Sequence, residues 1–202
     1  MKLAIDVDGC LADWATSFLR LLCETSGREL ATLSPTTRRY DPDTWDWPAA
    51  LGYTPQEISA AWAKTNDFSW WEDLEPLPGA VQFLEHLAQR CYDYPEWEAY
   101  FLTSRQRKTA YIKEQTEVWI REHSPNTRNA TVLVNCAHKG DVCQALGLDG
   151  LIDDKPSHLF EAERACGPTF RTFLKATTYT VDSKLPQETV VLHTWDDFWR
   201  AL

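Results

Sequence analysis

Long apolar stretches are missing from this 202-residue chain: none approaches the roughly 20 residues of a membrane-spanning helix. Basic residues are also scarce, with 20 Lys and Arg against 30 Asp and Glu, a net charge of −10. That balance argues against general affinity for nucleic-acid backbones, which need a basic surface, so no stable nucleic-acid partner is expected. A small phosphorylated substrate is still allowed, because a metal and a few local cations reverse the field at a site. The six cysteines (10, 23, 91, 136, 143 and 166) include no CxxC pair. Cys136, His138 and Cys143 match no usual zinc spacing and lack a fourth ligand, so reduced and mostly buried thiols are expected. The opening Met1-Lys2-Leu3-Ala4-Ile5 resembles a signal peptide, but Asp6 and Asp8 fall where its apolar centre would lie. A cytoplasmic protein with no membrane partner is expected, and a homodimer stands beside the monomer as an open alternative.

Tryptophan, by contrast, is abundant. There are ten, and Trp45, Trp47, Trp62, Trp70 and Trp71 fall within a window of 27 residues. Length and an ordinary hydrophobic share of 44% predict one domain with a modest insertion.

The apolar run Leu3-Ala4-Ile5 predicts a first strand, followed by helical spacing from Leu11 to Ser26 with Gly27 as a stop. Residues 28–54 show no clean period. Thr54-Pro55-Gln56-Glu57 then predicts a capped helix to about Thr65. After Pro76-Leu77-Pro78-Gly79, strands and helices alternate. Helix is expected over Ala80–Arg90, strand over Glu98–Leu102, helix over Arg107–Glu122 and strand over Thr131–Val134. Helix is then expected over Lys139–Leu146, strand over Gly150–Ile152, a helix after Pro156, strand over Thr169–Leu174 and a short capped helix from Thr194. The pattern predicts an α/β fold, a Rossmann-like three-layer core around a parallel sheet. Residues 1–14 and 76–202 would form the core, and residues 15–75 a small, mainly helical cap inserted after the first strand.

Four segments carry chemistry: Asp6-Val7-Asp8-Gly9, Thr103-Ser104, Lys139 and Asp153-Asp154. Each alone also describes a turn, a helix cap or a solvated lysine. Three of them follow predicted strands, however, and ligands bind outside the carboxyl ends of strands in open α/β sheets. Together they form a phosphate-transfer site. An ionised aspartate needs no base to attack phosphorus, and its product is an aspartyl-phosphate. Repulsion is its obstacle, about 4 kcal/mol per pair of unit charges at 4 Å and an effective dielectric of 20. A divalent cation removes it, and hard carboxylates with little His or Cys nearby favour Mg²⁺. Asp6 and one of Asp153 and Asp154 can hold that ion, while Lys139 neutralises phosphate charge and Thr103 donates to a phosphoryl oxygen. Backbone amides after Asp6, Gly9 among them, and around Ser104 can hold the remaining oxygens. Asp8 can protonate the leaving oxygen and later deprotonate water, with burial beside carboxylates raising its pKa.

These motifs, in this order, resemble those of the haloacid dehalogenase-like phosphatase superfamily. The stretches Asp6–Trp14, Trp70–Val81, Leu151–Pro156 and Leu192–Trp199 resemble the 5′(3′)-deoxyribonucleotidases in particular. The resemblance implies a Mg²⁺-dependent phosphomonoesterase acting on nucleoside monophosphates. It makes Asp6 the nucleophile and Asp8 the acid and base, with the Asp8 backbone carbonyl on the metal. Thr103 and Lys139 would bind phosphate, Asp154 would touch the metal, and Asp153 would hold a metal-bound water in the second shell. Ala137 stands where the family tends to carry arginine, and Arg105 where it carries proline, so Arg105 is the available replacement for a phosphate-binding cation. Trp14 and Trp62, then Trp45, are candidates to stack on a nucleobase, an interaction worth roughly 1–3 kcal/mol. Trp195 and Trp199 are expected to pack in the core. Another small-molecule phosphatase, a polynucleotide 3′-phosphatase and a non-catalytic nucleotide-binding module are the alternatives.

Overall fold

The computed structural model describes residues 1–30, 33–34, 38–67, 69–105, 111–126, 131–180 and 183–202. Six strands, β1 (Lys2–Asp6), β2 (Glu98–Leu102), β3 (Thr131–Leu133), β4 (Gly150–Asp153), β5 (Arg171–Lys175) and β6 (Val190–Leu192), form one sheet in the order β3-β2-β1-β4-β5-β6. Every pairing is parallel. Parallel strands are covered on both faces, and their side chains alternate between them. Leu3 and Ile5 accordingly join Phe101, Ile152 and Phe173 on one face, under α4 (Ala80–Asp93), α5 (Ile112–His123) and α8 (Trp195–Arg200). Ala4, Leu102, Leu151 and Leu174 face the other way, onto α6 (Lys139–Leu146) and α7 (Pro156–Cys166). The two helices meet closely at Gly140, where a Cβ would lie 2.6 Å from the Glu161 carbonyl oxygen. Trp195 is buried and stacks on Phe83 at 4.1 Å, and half-buried Trp199 lies 4.9 Å from Phe198, so both pack as expected.

Between β1 and α4, three helices gather around a separate apolar cluster of Phe18, Leu19, Leu22, Trp47, Tyr53 and Ala61. They are α1 (Trp14–Ser26), α2 (Trp47–Ala50) and α3 (Pro55–Lys64). The outgoing and returning chains run side by side: Asp13 N–H donates to Glu75 O at 2.7 Å, and Leu77 N–H to Leu11 O at 2.7 Å. The Thr54–Glu57 capping box starts α3 as its sequence indicates.

The elements differ from expectation in several places. Helix α1 begins at Trp14 rather than Leu11, because Leu11 and Ala12 both donate to Val7 O at 2.8 Å in a tight turn and the Asp13 carboxylate caps Thr16 N–H. The four-residue α2 and three-residue β6 are too short to show a period. Of the expected Arg107–Glu122 helix, residues 107–110 lie outside the described set; α5 runs from Ile112 to His123.

Candidate active site

Strand β1 has β2 on one side and β4 on the other, so the chain's crossovers diverge there. That switch point opens a crevice beyond the strand ends. Asp6 ends β1 and Asp153 ends β4, Thr103 follows β2, and Lys139 is the first residue of α6. The fully buried Lys139 ammonium lies 2.8 Å from Asp6 Oδ1 and 2.7 Å from Asp153 Oδ2. Asp153 is further held by Lys155 N–H at 2.8 Å and by His158 Nδ1 at 3.0 Å.

Among the described residues the charges do not balance. Asp6, Asp153 and Asp154 are all buried, and one buried ammonium faces them. Burial opposes the charge of Lys139, but Asp153 and Asp6 outweigh it and hold its pKa above the ordinary lysine value. Burial would likewise raise Asp153, yet Lys139 and His158 bring it down to about 2. Asp6 goes the other way. Burial lifts it to about 6, with Asp153 and Asp8 adding to the rise against the pull of Lys139. Asp154 rises furthest above the carboxylate range, through burial and then through Asp153 and Asp6. Asp154 accepts a hydrogen bond from the Tyr179 hydroxyl, a neutral partner rather than a cation.

A buried cluster short of positive charge is what a divalent ion neutralises. Asp6, Cys10 and Asp154 each place one ligand atom within 4.8 Å of the others. Cys10 corrects the expectation of little sulfur nearby. Burial, then Asp154 and Asp6, hold its thiol well above the ordinary value, and a hard divalent ion prefers the carboxylate oxygens to sulfur. His158, on the first turn of α7, is a second neighbour that the motifs did not indicate. Both oxygens of Asp153 are engaged, which leaves Asp154 the freer carboxylate of the pair.

Several expected phosphate contacts are turned inward. Thr103 is fully buried and donates to Asp8 Oδ2 at 3.0 Å. Lys139 is committed to its two carboxylates, and Val7 N–H donates to Asp6 Oδ1 at 2.8 Å. Gly9 N–H donates to Ala12 O at 3.0 Å, so the glycine serves by lacking a side chain: at φ +85°, a Cβ would lie 2.4 Å from Asp154 Oδ2. Arg105 is buried and forks onto Asp8, with each of its three nitrogens engaged by Asp8 or Thr116. Asp8 is thus held by an arginine and a threonine beside the Asp6 carboxylate. Exposed Ser104 lines the cavity and donates to Cys136 O at 3.1 Å.

A cavity of about 880 Å³ runs from Asp6, Asp8 and Asp154 to Trp14, Tyr40, Trp45 and Trp62. Trp14 stacks on Phe18 at 5.0 Å and on Trp62 at 5.7 Å. A base sandwiched between two rings needs about 7 Å, two van der Waals layers, so it does not fit between Trp14 and Trp62 as they stand. Their outer faces remain. Trp62 is 43% exposed, and Trp45, 57% exposed, lies 5.9 Å from the Tyr179 ring with Lys155 Nζ 4.2 Å over it. The motifs also missed Tyr179. It sits in a 3-10 turn, Thr178–Thr180, within a Thr-rich stretch with no period to mark it. His158 was more accessible to sequence reasoning, as a titratable residue five positions after Asp153 in a predicted helix.

A family model described as "5' nucleotidase, deoxy (Pyrimidine), cytosolic type C protein" matches residues 1–178. The mouse mitochondrial 5′(3′)-deoxyribonucleotidase is 24% identical over 203 residues, covering 100% of this chain and 84% of that protein. Its human counterpart is 24% identical over 203 residues, covering 100% and 82%. Among solved structures, a haloacid dehalogenase-like hydrolase from Burkholderia xenovorans superposes with TM-score 0.61 at 18% identity, over 98% of this chain and 94% of its own. A related hydrolase from Deinococcus radiodurans, with bound phosphate and sodium, gives TM-score 0.57 at 14% identity, over 99% and 93%.

Proposed function

Since the chain belongs to the deoxy (pyrimidine), cytosolic type C 5′-nucleotidase family and is a phosphoric monoester hydrolase, we propose that it releases phosphate from deoxynucleoside monophosphates with Mg²⁺ bound at Asp6 and Asp154. The observation that carries this is the buried carboxylate cluster, short of positive charge among the described residues, at the floor of an aromatic-lined cavity. Mg²⁺ suits it because its donors are hard oxygens, with the Asp8 backbone carbonyl completing the protein's share. Bound there, the cation would offset the repulsion between nucleophile and phosphate dianion. It would also bring the Asp6 pKa down from about 6, so that the carboxylate stays ionised below neutral pH as well.

Each remaining role belongs to the chain. Asp6 attacks phosphorus, and Asp8 gives the departing nucleoside oxygen its proton. Asp8 then takes a proton from the water that opens the Asp6 acyl phosphate. Lys139 keeps Asp6 and Asp153 in place and balances part of their charge. Exposed aromatic surface at Trp45 and Trp62, above the floor, offers the base a stacking face and excludes water. Residues 15–75 act as the cap that brings those rings over the phosphate. Among the described residues no helix is long and apolar enough to cross a membrane.

The test is phosphate release from a panel of deoxy- and ribonucleoside monophosphates and sugar phosphates, with Mg²⁺ supplied or chelated. Turnover of deoxynucleotides, abolished by chelation and by Asp6→Asn in a folded protein, is expected. Hydrolysis of sugar phosphates alone would overturn the substrate assignment, and activity of Asp6→Asn would overturn the nucleophile.

A further inference from the structure

Arg105 is the cation least explained by phosphate binding. Its side chain is fully buried against Asp8, immediately after the threonine-serine pair that follows β2. Nη2 lies 2.7 Å from Asp8 Oδ1, and Nε lies 2.9 Å from Asp8 Oδ2. The remaining nitrogen, Nη1, donates to Thr116 Oγ1 at 2.9 Å, and that hydroxyl donates to Ile112 O at 2.7 Å in the first turn of α5. The guanidinium plane lies 4.6 Å over the ring of Trp71, on the chain returning from α3. Thr103 adds a donor to Asp8 Oδ2 from the rigid end of β2. A planar fork tied to a carboxylate, a helix and an aromatic face has its orientation fixed on every side.

On the assignment of Asp8 as acid and base, we propose that Arg105 is a positioning residue that holds the Asp8 carboxyl group at the leaving-group side of the phosphorus. In the first half-reaction a bond forms between Asp6 and phosphorus while the phosphorus–ester oxygen bond breaks, and the Asp8 proton passes to that oxygen. In the second, water attacks phosphorus, its proton passes to Asp8, and the Asp6–phosphorus linkage breaks. Arg105 keeps its protons throughout and acts through geometry alone.

The experiment separates positioning from phosphate binding by the demands of the leaving group. Wild type, Arg105→Lys and Arg105→Met are compared, with Mg²⁺, on a deoxynucleoside monophosphate and on p-nitrophenyl phosphate, whose leaving group departs without a proton. For the nucleotide, kcat should fall by about 10²–10³ with KM changed by less than about threefold, the lower part of the range for a lost acid or base. For p-nitrophenyl phosphate, rapid mixing should still show a burst near one equivalent of p-nitrophenolate followed by slow turnover, since only water activation is impaired. The inhibition constant of inorganic phosphate should be unchanged. A rise of tenfold or more in that constant, with both substrates losing equally and no burst, would make Arg105 a phosphate ligand and overturn the proposal; so would unchanged kcat. Arg105→Lys keeps the charge and loses the fork, so it carries the comparison should Arg105→Met not fold. A wild type that hydrolyses p-nitrophenyl phosphate but no nucleotide would refute the substrate assignment and leave the burst comparison to judge Arg105.

Discussion

Replacing Lys139 with methionine isolates the charge at the centre of the site. Methionine keeps most of the stem's volume, so the cavity left behind is small and the loss is electrostatic. The ammonium sits 2.8 Å from Asp6 and 2.7 Å from Asp153, and all three side chains are buried. Removing one partner of a buried ion pair costs about 3–5 kcal/mol, because an uncompensated charge is left behind. That is a large part of the roughly 5–15 kcal/mol that holds a domain folded. For a chain of this size each kcal/mol lowers Tm by about 2–4 °C, so a fall of roughly 6–20 °C is expected for Lys139→Met without added metal. Thermal unfolding followed by intrinsic fluorescence reads it directly, with ten tryptophans in the chain. Lys139→Met combined with Asp153→Asn should recover at least half of the lost stability while remaining inactive. A Tm loss below about 2 °C for the single variant, or a double variant no more stable than it, would refute the claim that Lys139 is held by the two carboxylates.

Gly9→Ala should abolish metal-dependent turnover while leaving the fold largely intact, since its Cβ would meet Asp154 Oδ2 at 2.4 Å and the backbone φ is +85°; isothermal titration with Mg²⁺ should show binding lost, and wild-type affinity would contradict the contact. Gly140→Ala should do the reverse, lowering stability by about 1–3 kcal/mol through overpacking of α6 on α7, with KM for the nucleotide unchanged. His123, packed on Trp119 at 4.6 Å, has its pKa lowered by burial. Its unfolded form therefore binds a proton first, so the stability it contributes is complete above about pH 6.5 and is lost as pH falls through the lower folded value. The difference in denaturation midpoint between wild type and His123→Gln should shrink from pH 7.5 to 5; a constant difference would refute it.

What could be read from the sequence was whatever short range fixes. Apolar runs gave β1, β2 and β4, because strands of a buried parallel sheet are hydrophobic on both faces. The capping boxes at Thr54 and Thr194 located α3 and α8, since cap chemistry is complete within four residues. Asp6, Asp8, Lys139, Asp153 and Asp154 could be gathered into one site because strand ends in an α/β sheet converge by topology. Orientation was decided elsewhere. Whether Thr103, Gly9 and Arg105 face a substrate or support Asp8 and Asp154 depends on contacts spanning tens of residues, such as Arg105 with Asp8, 97 positions apart. Tyr179 reaches Asp154 only through the 3-10 turn after β5, and Trp45 meets Tyr179 only because the segment between β1 and α4 folds back over the sheet. Local pattern determines which elements form and where their reactive ends gather; the direction of each side chain is set by packing between elements, which a one-dimensional pattern does not encode.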